Sequence, residues 1–283
     1  MKNPKTSIII LNWNGWEDTI ECINSIKKVS YPNYEIIVVD NASKGDDVNI
    51  LRNKFLDSIR IIKNRENYGF AKGNNIAIKQ VLKENKSKYI LLLNNDTVVD
   101  KNFLTELVNF SEKGEKTAIV GPKMYYYSYN EKKNVIWFGG GKIDWKIYPG
   151  YHHIDQFKED KEKNKVEKAK EVDWISGACL MINLKKINPL LKEDYYFGNE
   201  DIDKCLNVKK EGFDIIYVPR AIIWHKVGRS RKKIFMKNLN GDLTNFRLIK
   251  NNNRFWMFLL PYFSIVILGK FIIRRLKNNS HLK

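Results

Sequence analysis

Cysteine is scarce. Cys22, Cys179 and Cys205 stand far apart in the 283-residue chain, with no CxxC among them. That leaves no disulfide framework or structural zinc site to expect, and it fits a reducing compartment. A membrane-spanning run is missing too. The longest apolar stretch, Phe255 to Gly269, has fifteen uncharged residues and contains Pro261, whereas a spanning helix takes roughly 20. The opening MKNPKTSIIILNWNG has no leader pattern and reads as a first β-strand. No GxGxxG, RNP signature, zinc spacing or heptad run occurs. Acid is nearly absent from one region. Residues 220–283 hold fifteen Lys/Arg and one acid, Asp242, so they carry +14 of the net +18, and the first 219 residues carry +4.

What is present is apolar enough to fold. Apolar residues make up 43% and aromatics 12%, which rules out wholesale disorder and permits a sizeable core. The basic excess suits nucleic acid, an anionic membrane surface or a phosphorylated substrate. Over the first 120 residues short Ile/Leu/Val runs alternate with helical stripes. Strands are expected at 7–12, 34–40, 59–62 and 89–93, and helices at 17–29, 46–55, 71–84 and 100–112. Repeated βα units predict an α/β fold, a mostly parallel sheet with helices on both faces. After residue 120 irregular or antiparallel strands are expected, with a turn at Gly139–Gly141. The stretch 158–170, with six Lys and four acids, reads as a solvated loop or exposed helix. Residues 201–210 read as a helix and 213–218 as a strand.

Ligands of open α/β sheets bind beyond the carboxyl ends of the strands. There the chain places Asn12-Trp13-Asn14-Gly15, Asp40-Asn41, Asn64 to Phe70, and Asn94-Asn95-Asp96. Asp40 reads as a cap or as an acceptor for a base or ribose. Asp96 reads as a cap or as a divalent-cation ligand working with substrate phosphates. Residues 67–75 (NYGFAKGNN) could bring backbone N–H groups near phosphate or base. The acids Glu200, Asp201 and Asp203 follow an aromatic run. They suit a helix N-terminus, or one of them a general base with a raised pKa. His225 ends the run AIIWH, as a core residue or as a metal ligand.

Seven segments carry a family resemblance: SIIILNWNG, IIVVDNAS, ENYGFAKGNN, YILLLNND, WISGACLMI, FGNEDIDKC and WHKVG. Their order over about residues 6–230 resembles the inverting glycosyltransferases of family 2, above all the rhamnosyltransferase-like branch. The resemblance implies a GT-A (Rossmann-like) fold and a nucleotide-diphosphate-sugar donor. Asp40 would contact the base. Asn12, Asn14 and the loop residues Asn67, Gly69, Phe70 and Asn74 would shape the nucleotide pocket, with Asn95 on the donor side. Asn94-Asn95-Asp96 stands where the family has DxD, with Asn94 replacing the first aspartate. Asp96 would then hold Mn²⁺ or Mg²⁺, joined by His225. Asp201, second of the Glu200–Asp201 pair, matches the general base, and Gly177 and Ala178 match the segment near donor sugar and acceptor.

The expected organisation is a GT-A domain over 1–235, split near residue 120 into a nucleotide-sugar half and an acceptor half, then a basic, apolar, membrane-associating helical tail over 236–283. Pro261, the aromatics at 255–263 and the flanking Arg254, Arg274, Arg275 and Lys277 suit an interfacial helix pair. A full span and a helix packed on the domain are the alternatives. Arg229, Arg231, Lys232 and Lys233 could hold a diphosphate or a lipid-linked pyrophosphate, or form a solvated loop. Expected partners are the donor, a glycan or lipid-linked acceptor and an anionic membrane surface, with no nucleic acid. The expected place is cytoplasmic, on the inner face of the cell membrane. Competing readings are a basic nucleic-acid-binding protein with a nucleotide-like fold, a polyprenyl-phosphate glycosyltransferase of the same fold, and an inactive family member.

Overall fold

The computed structural model describes residues 3–147, 150–160, 168–195, 198–227 and 237–280. Arg229, Arg231, Lys232 and Lys233 lie outside these residues. The first half alternates as expected: β1 (Thr6–Asn12), α1 (Trp16–Ile26), β2 (Tyr34–Asp40), α2 (Asp47–Phe55), β3 (Arg60–Lys63), α3 (Gly69–Glu84) and β4 (Tyr89–Asn94). There follow β5 (Thr97–Val99), α4 (Phe103–Lys113), β6 (Thr117–Tyr126), β7 (Ile136–Phe138), β8 (Gly141–Ile143), β9 (Tyr151–His153), β10 (Lys170–Glu171) and β11 (Cys179–Asn183). The chain closes with α5 (Glu200–Lys210), β12 (Asp214–His225), α6 (Lys237–Asn252) and α7 (Trp256–Ser280).

One ten-stranded sheet runs β10-β12-β6-β11-β4-β1-β2-β3, with β5 on β12 and β7 on β6. Strands β3, β2, β1 and β4 are parallel, as are β6 and β12, while β11 is antiparallel to both β4 and β6. The Ile/Val/Leu runs are continuous because both faces are covered. Ile8, Ile10, Val38, Leu91 and Leu93 pack with α1, α2 and α4, whereas Ile9, Ile37, Val39, Ile90 and Leu92 pack with α3. Gly73 permits that second contact: a Cβ there would meet Leu11 Cδ1 at 2.8 Å.

Register decides where the polar strand ends fall. Asn12 sits opposite Asp40, Leu11 opposite Asn94, and Cys179 opposite Leu93. The carboxyl ends of β1, β2 and β4 and the entry to β11 therefore share one edge. Strand β12 reaches the same edge after a bulge, where Val218 pairs with Pro122 but Ile222 with Lys123. Pro219 falls inside that bulge, where a missing N–H costs no ladder bond.

One stretch differs from the reading of the sequence, and part of another takes the alternative of a helix packed on the domain. The 158–170 stretch is not solvated throughout. Asp160 accepts from Lys123 Nζ (2.8 Å) and Tyr125 OH (2.6 Å), and Lys123 is only 8% exposed; residues 161–167 lie outside the description. Beyond residue 236, α6 is built into the domain. Leu248 is fully buried in the main core, and Asn252 Nδ2 donates to Asp203 Oδ1 of α5 (2.8 Å). No helix among the described residues is long and apolar enough to cross a membrane.

Candidate active site

The turn after β1 is held by a buried polar network. Asn12 Nδ2 donates to Asp40 Oδ1 (2.9 Å), Ser43 Oγ (3.2 Å) and Asp47 Oδ2 (3.0 Å), and Asn12 Oδ1 accepts from Thr19 Oγ1 (2.7 Å). Asp47 Oδ2 also accepts from Gly15 N (2.9 Å). Asn95 Nδ2 donates to Gly15 O (3.2 Å) and Thr19 Oγ1 (3.0 Å). A Cβ at Gly15 would meet Asn95 Nδ2 at 2.8 Å. Asn12 and Asp40 are fully buried, and Asp40 also accepts from Ser43 N and Oγ. These side chains brace the loop from within. Asn14, Ser43 and Asn95 are half-buried and reach solvent. Asn14 takes a left-handed φ of 50° and accepts from Lys44 N (2.7 Å).

A second amide organises the loop before α3. Asn41 Nδ2 donates to Asn67 Oδ1 (2.8 Å) and Gly69 O (3.1 Å), while its Oδ1 accepts from Asn64 Nδ2 and Tyr68 N. Gly69, at φ 74°, supplies a backbone geometry that side chains resist. Asn74 Nδ2 bonds back to Phe70 O (2.9 Å) within the helix. The half-buried Phe70 ring lies against Gly177, where a Cβ would meet it at 3.2 Å.

Gly177 links this loop to α5. Its N–H donates to Asp201 Oδ2 (2.6 Å), and Asp201 Oδ1 accepts from Ile202 N (2.8 Å). Ala178 O, next along, accepts from Asn94 N (3.0 Å). Asp201 is half-buried and reaches solvent. Glu200 is buried, and its Oε2 has no hydrogen-bond donor. Burial first, and then the neighbouring Asp201 charge, push the Glu200 pKa up to about 8. The carboxyl whose pKa is raised is thus Glu200, while Asp201 is the one open to solvent.

Asp96 and His225 meet because β5 pairs antiparallel with β12, placing His225 opposite Thr97. His225 Nε2 lies 3.1 Å from Asp96 Oδ1, and both side chains are buried. The two atoms lie side by side without an aligned hydrogen bond: Asp96 Oδ1 and His225 Nδ1 lack hydrogen-bond partners. Burial works to raise the Asp96 pKa, but His225, a backbone hydrogen bond and Lys226 together outweigh it and the net direction is down. An ionised carboxylate oxygen without a donor, beside an imidazole nitrogen, fits a divalent cation. Adjacent ligands of an octahedral Mg²⁺-type site stand roughly 3 Å apart. No group of three or more His, Cys, Asp or Glu among the described residues could hold a metal, so substrate oxygens and water would complete the shell.

Three contributors escaped the sequence. Asp47 lies in the first turn of α2 and bonds Asn12 and Gly15. Trp137, in an irregular stretch, meets the His225 ring edge-on with centroids 4.5 Å apart. Lys226 Nζ is pinned to Asp18 (2.6 Å) and Glu21 (2.5 Å) of α1. Asp18 and Glu21 lie more than 200 residues from Lys226, so no local pattern marked the pairing.

The chain is similar to several known proteins. The chain is 26% identical over 218 residues to the low-salt glycan biosynthesis hexosyltransferase Agl10 of Haloferax volcanii, covering 74% of this chain and 63% of that one. It is 24% identical over 229 residues to the poly(ribitol-phosphate) β-N-acetylglucosaminyltransferase TarP of Staphylococcus aureus, covering 73% and 67%. It is 26% identical over 241 residues to the uncharacterized protein y4gI of Sinorhizobium fredii, but spans only 25% of that protein's length. Among solved structures, GalNAc-T7 with UDP, GalNAc and Mn²⁺ superposes with a TM-score of 0.63 at 17% identity, covering 78% of this chain and 44% of that one. S. aureus TarS 1–349 in complex with UDP superposes with a TM-score of 0.57 at 17% identity, covering 88% and 66%. These likenesses show a GT-A fold. The profile described as glycosyl transferase family 2 matches residues 7–182, more than half of the sequence, and the chain belongs to that family.

Proposed function

We propose that this protein moves a hexose from a nucleotide-diphosphate donor to a hydroxyl of a glycan or lipid-linked acceptor, by one in-line displacement that inverts the anomeric centre. The observation that carries this reading is the Asp96–His225 pair with its donor-less carboxylate oxygen, linked by the Asn94–Ala178 bond and the Gly177–Asp201 bond to a solvent-reaching carboxylate. Asp201 takes the acceptor proton. The N–H groups of Gly177 and Ile202 donate to the carboxylate and orient it. Glu200, whose raised pKa keeps its proton at neutral pH, adds no second charge there. Asp96 and His225 are the residues that would hold Mn²⁺ or Mg²⁺; bound there, the cation offsets the charge of the departing diphosphate. Phe70, Gly177 and Asn14 border the donor space. The solved structures of GalNAc-T7 with UDP and of TarS with UDP-GlcNAc support a nucleotide-sugar donor. The motif order makes rhamnosyl donors the first to try.

Thermal-shift screening of nucleotide sugars with Mn²⁺ identifies the donor, since a ligand of the native state raises its stability. With that donor, Asp201→Asn is expected to lose transfer by about 10²-fold or more while the donor still raises Tm. EDTA suppresses transfer and Mn²⁺ or Mg²⁺ restores it. Undiminished turnover in Asp201→Asn sinks the assignment.

A further inference from the structure

Helix α7 is apolar on two opposite sides. One side packs inward: Phe263 is buried with Ile249 of α6, and Trp256, Leu259 and Ile267 join that cluster. The other side faces solvent. Phe258 is 80% exposed and Ile265 71%, with Tyr262 between them, in the i, i+4, i+7 spacing of a single helix face. Phe255, Met257 and Leu268 extend the patch. Soluble proteins rarely leave so large a contiguous apolar surface uncovered.

The charge around the patch points to its occupant. Residues 220–283 carry +14, and α7 itself contains no acid but carries Lys270, Arg274, Arg275 and, near its end, Lys277. The Arg254 guanidinium lies 5.0 Å from the Phe255 ring, at the entry to the helix. Aromatic and aliphatic side chains exposed on one face of a helix in a basic segment suit the boundary between headgroups and acyl chains. No described helix is long and apolar enough to span, which leaves docking in the plane of the surface.

We propose that the outer face of α7 docks on an anionic lipid bilayer, with the helix lying along the headgroups. The surface is one helix removed from the catalytic acids. Helix α6 buries Leu248 in the main core. Asn245 Oδ1 accepts from Asn199 Nδ2 (2.7 Å), at the start of α5. Docking therefore sets α5 beside the bilayer. On the function proposed above, a lipid-linked acceptor would present its hydroxyl there, and the anionic leaflet would be the cytoplasmic one.

Co-sedimentation of the full chain with phosphatidylglycerol–phosphatidylcholine vesicles, and with phosphatidylcholine alone, tests this without donor or acceptor. Its outcome is therefore separate from that of the transferase reading. Wild type is expected to pellet with the anionic vesicles. Phe258→Asp with Ile265→Asp should weaken that binding roughly tenfold or more, with the circular dichroism spectrum unchanged. Arg274→Gln with Arg275→Gln should weaken it by about fivefold per cation, on anionic vesicles only. Three results would overturn the proposal: no vesicle binding by wild type, equal binding by the Asp variant, or a lipid-independent dimer that the same substitutions abolish, which would make a second copy the occupant.

Discussion

Glu200 and Asp201 stand side by side at the start of α5, but one is buried with an oxygen that lacks a donor and the other reaches solvent on two N–H bonds. The difference has a measurable sign. In the unfolded chain the Glu200 carboxyl releases its proton near 4.5, whereas in the native state burial and Asp201 hold it to about 8. Between those values the native state binds more protons, so stability falls as pH rises. The contribution is fully present below the unfolded value and lost through the folded one. Urea unfolding of wild type and Glu200→Gln across that window should show a steeper loss in wild type, and parallel curves would contradict the assignment. The sequence announced that these acids mattered, because three of them follow an aromatic run and a glycine. Which one would be buried was not legible. Adjacent helical residues differ by about 100° in direction; Glu200 shares its side of α5 with Asp203, which is buried by Tyr195 and by Asn252 of the distant α6.

Elements that bury their own periodic pattern were readable from the chain; elements defined by distant partners were not. Strands β1, β2 and β4 show as apolar runs ending in Asn or Asp, and parallel register then brings those ends together. Strand β5 is three residues long and has no pattern of its own, yet its antiparallel pairing with β12 makes the Asp96–His225 contact. Helix α6 was hidden for a related reason. Its Asn- and Lys-rich sequence reads as tail, because its stabilisation comes from side chains of α5 and the core. Asn252 and Tyr195 both donate to the buried Asp203 carboxylate, and Leu248 fills space against the core. Leu248→Ala is expected to cost about 2–5 kcal/mol in urea unfolding, as other buried leucines do. A loss below 0.5 kcal/mol, as is usual at surface sites, would mean that α6 is only loosely attached.

At the scale of the whole molecule, the question is where the folded unit stops. The charge boundary near residue 220 and the packing boundary do not coincide, because α6 belongs to the basic region by composition and to the domain by contact. Removing residues 254–283 should spare the main unfolding transition, since it strips only the small cluster of Ile249 and Phe263. Removing residues 237–283 should lower Tm further, because it also opens the seat of Leu248. Equal Tm values for the two truncations would place the boundary before α6. The bulge in β12 acts over the same distance. Beyond it, Ile223 and His225 turn inward while Ile222 and Trp224 are half-buried. Strand faces alternate with a period of two, so the segment 219–221 works as a phase setter. Loss of one residue there, with the bulge kept, would carry Lys226 to the position of His225 and turn the imidazole to the opposite face, away from Asp96, whereas loss of two would keep the phase. Length variation at this bend is thus constrained by parity rather than by size.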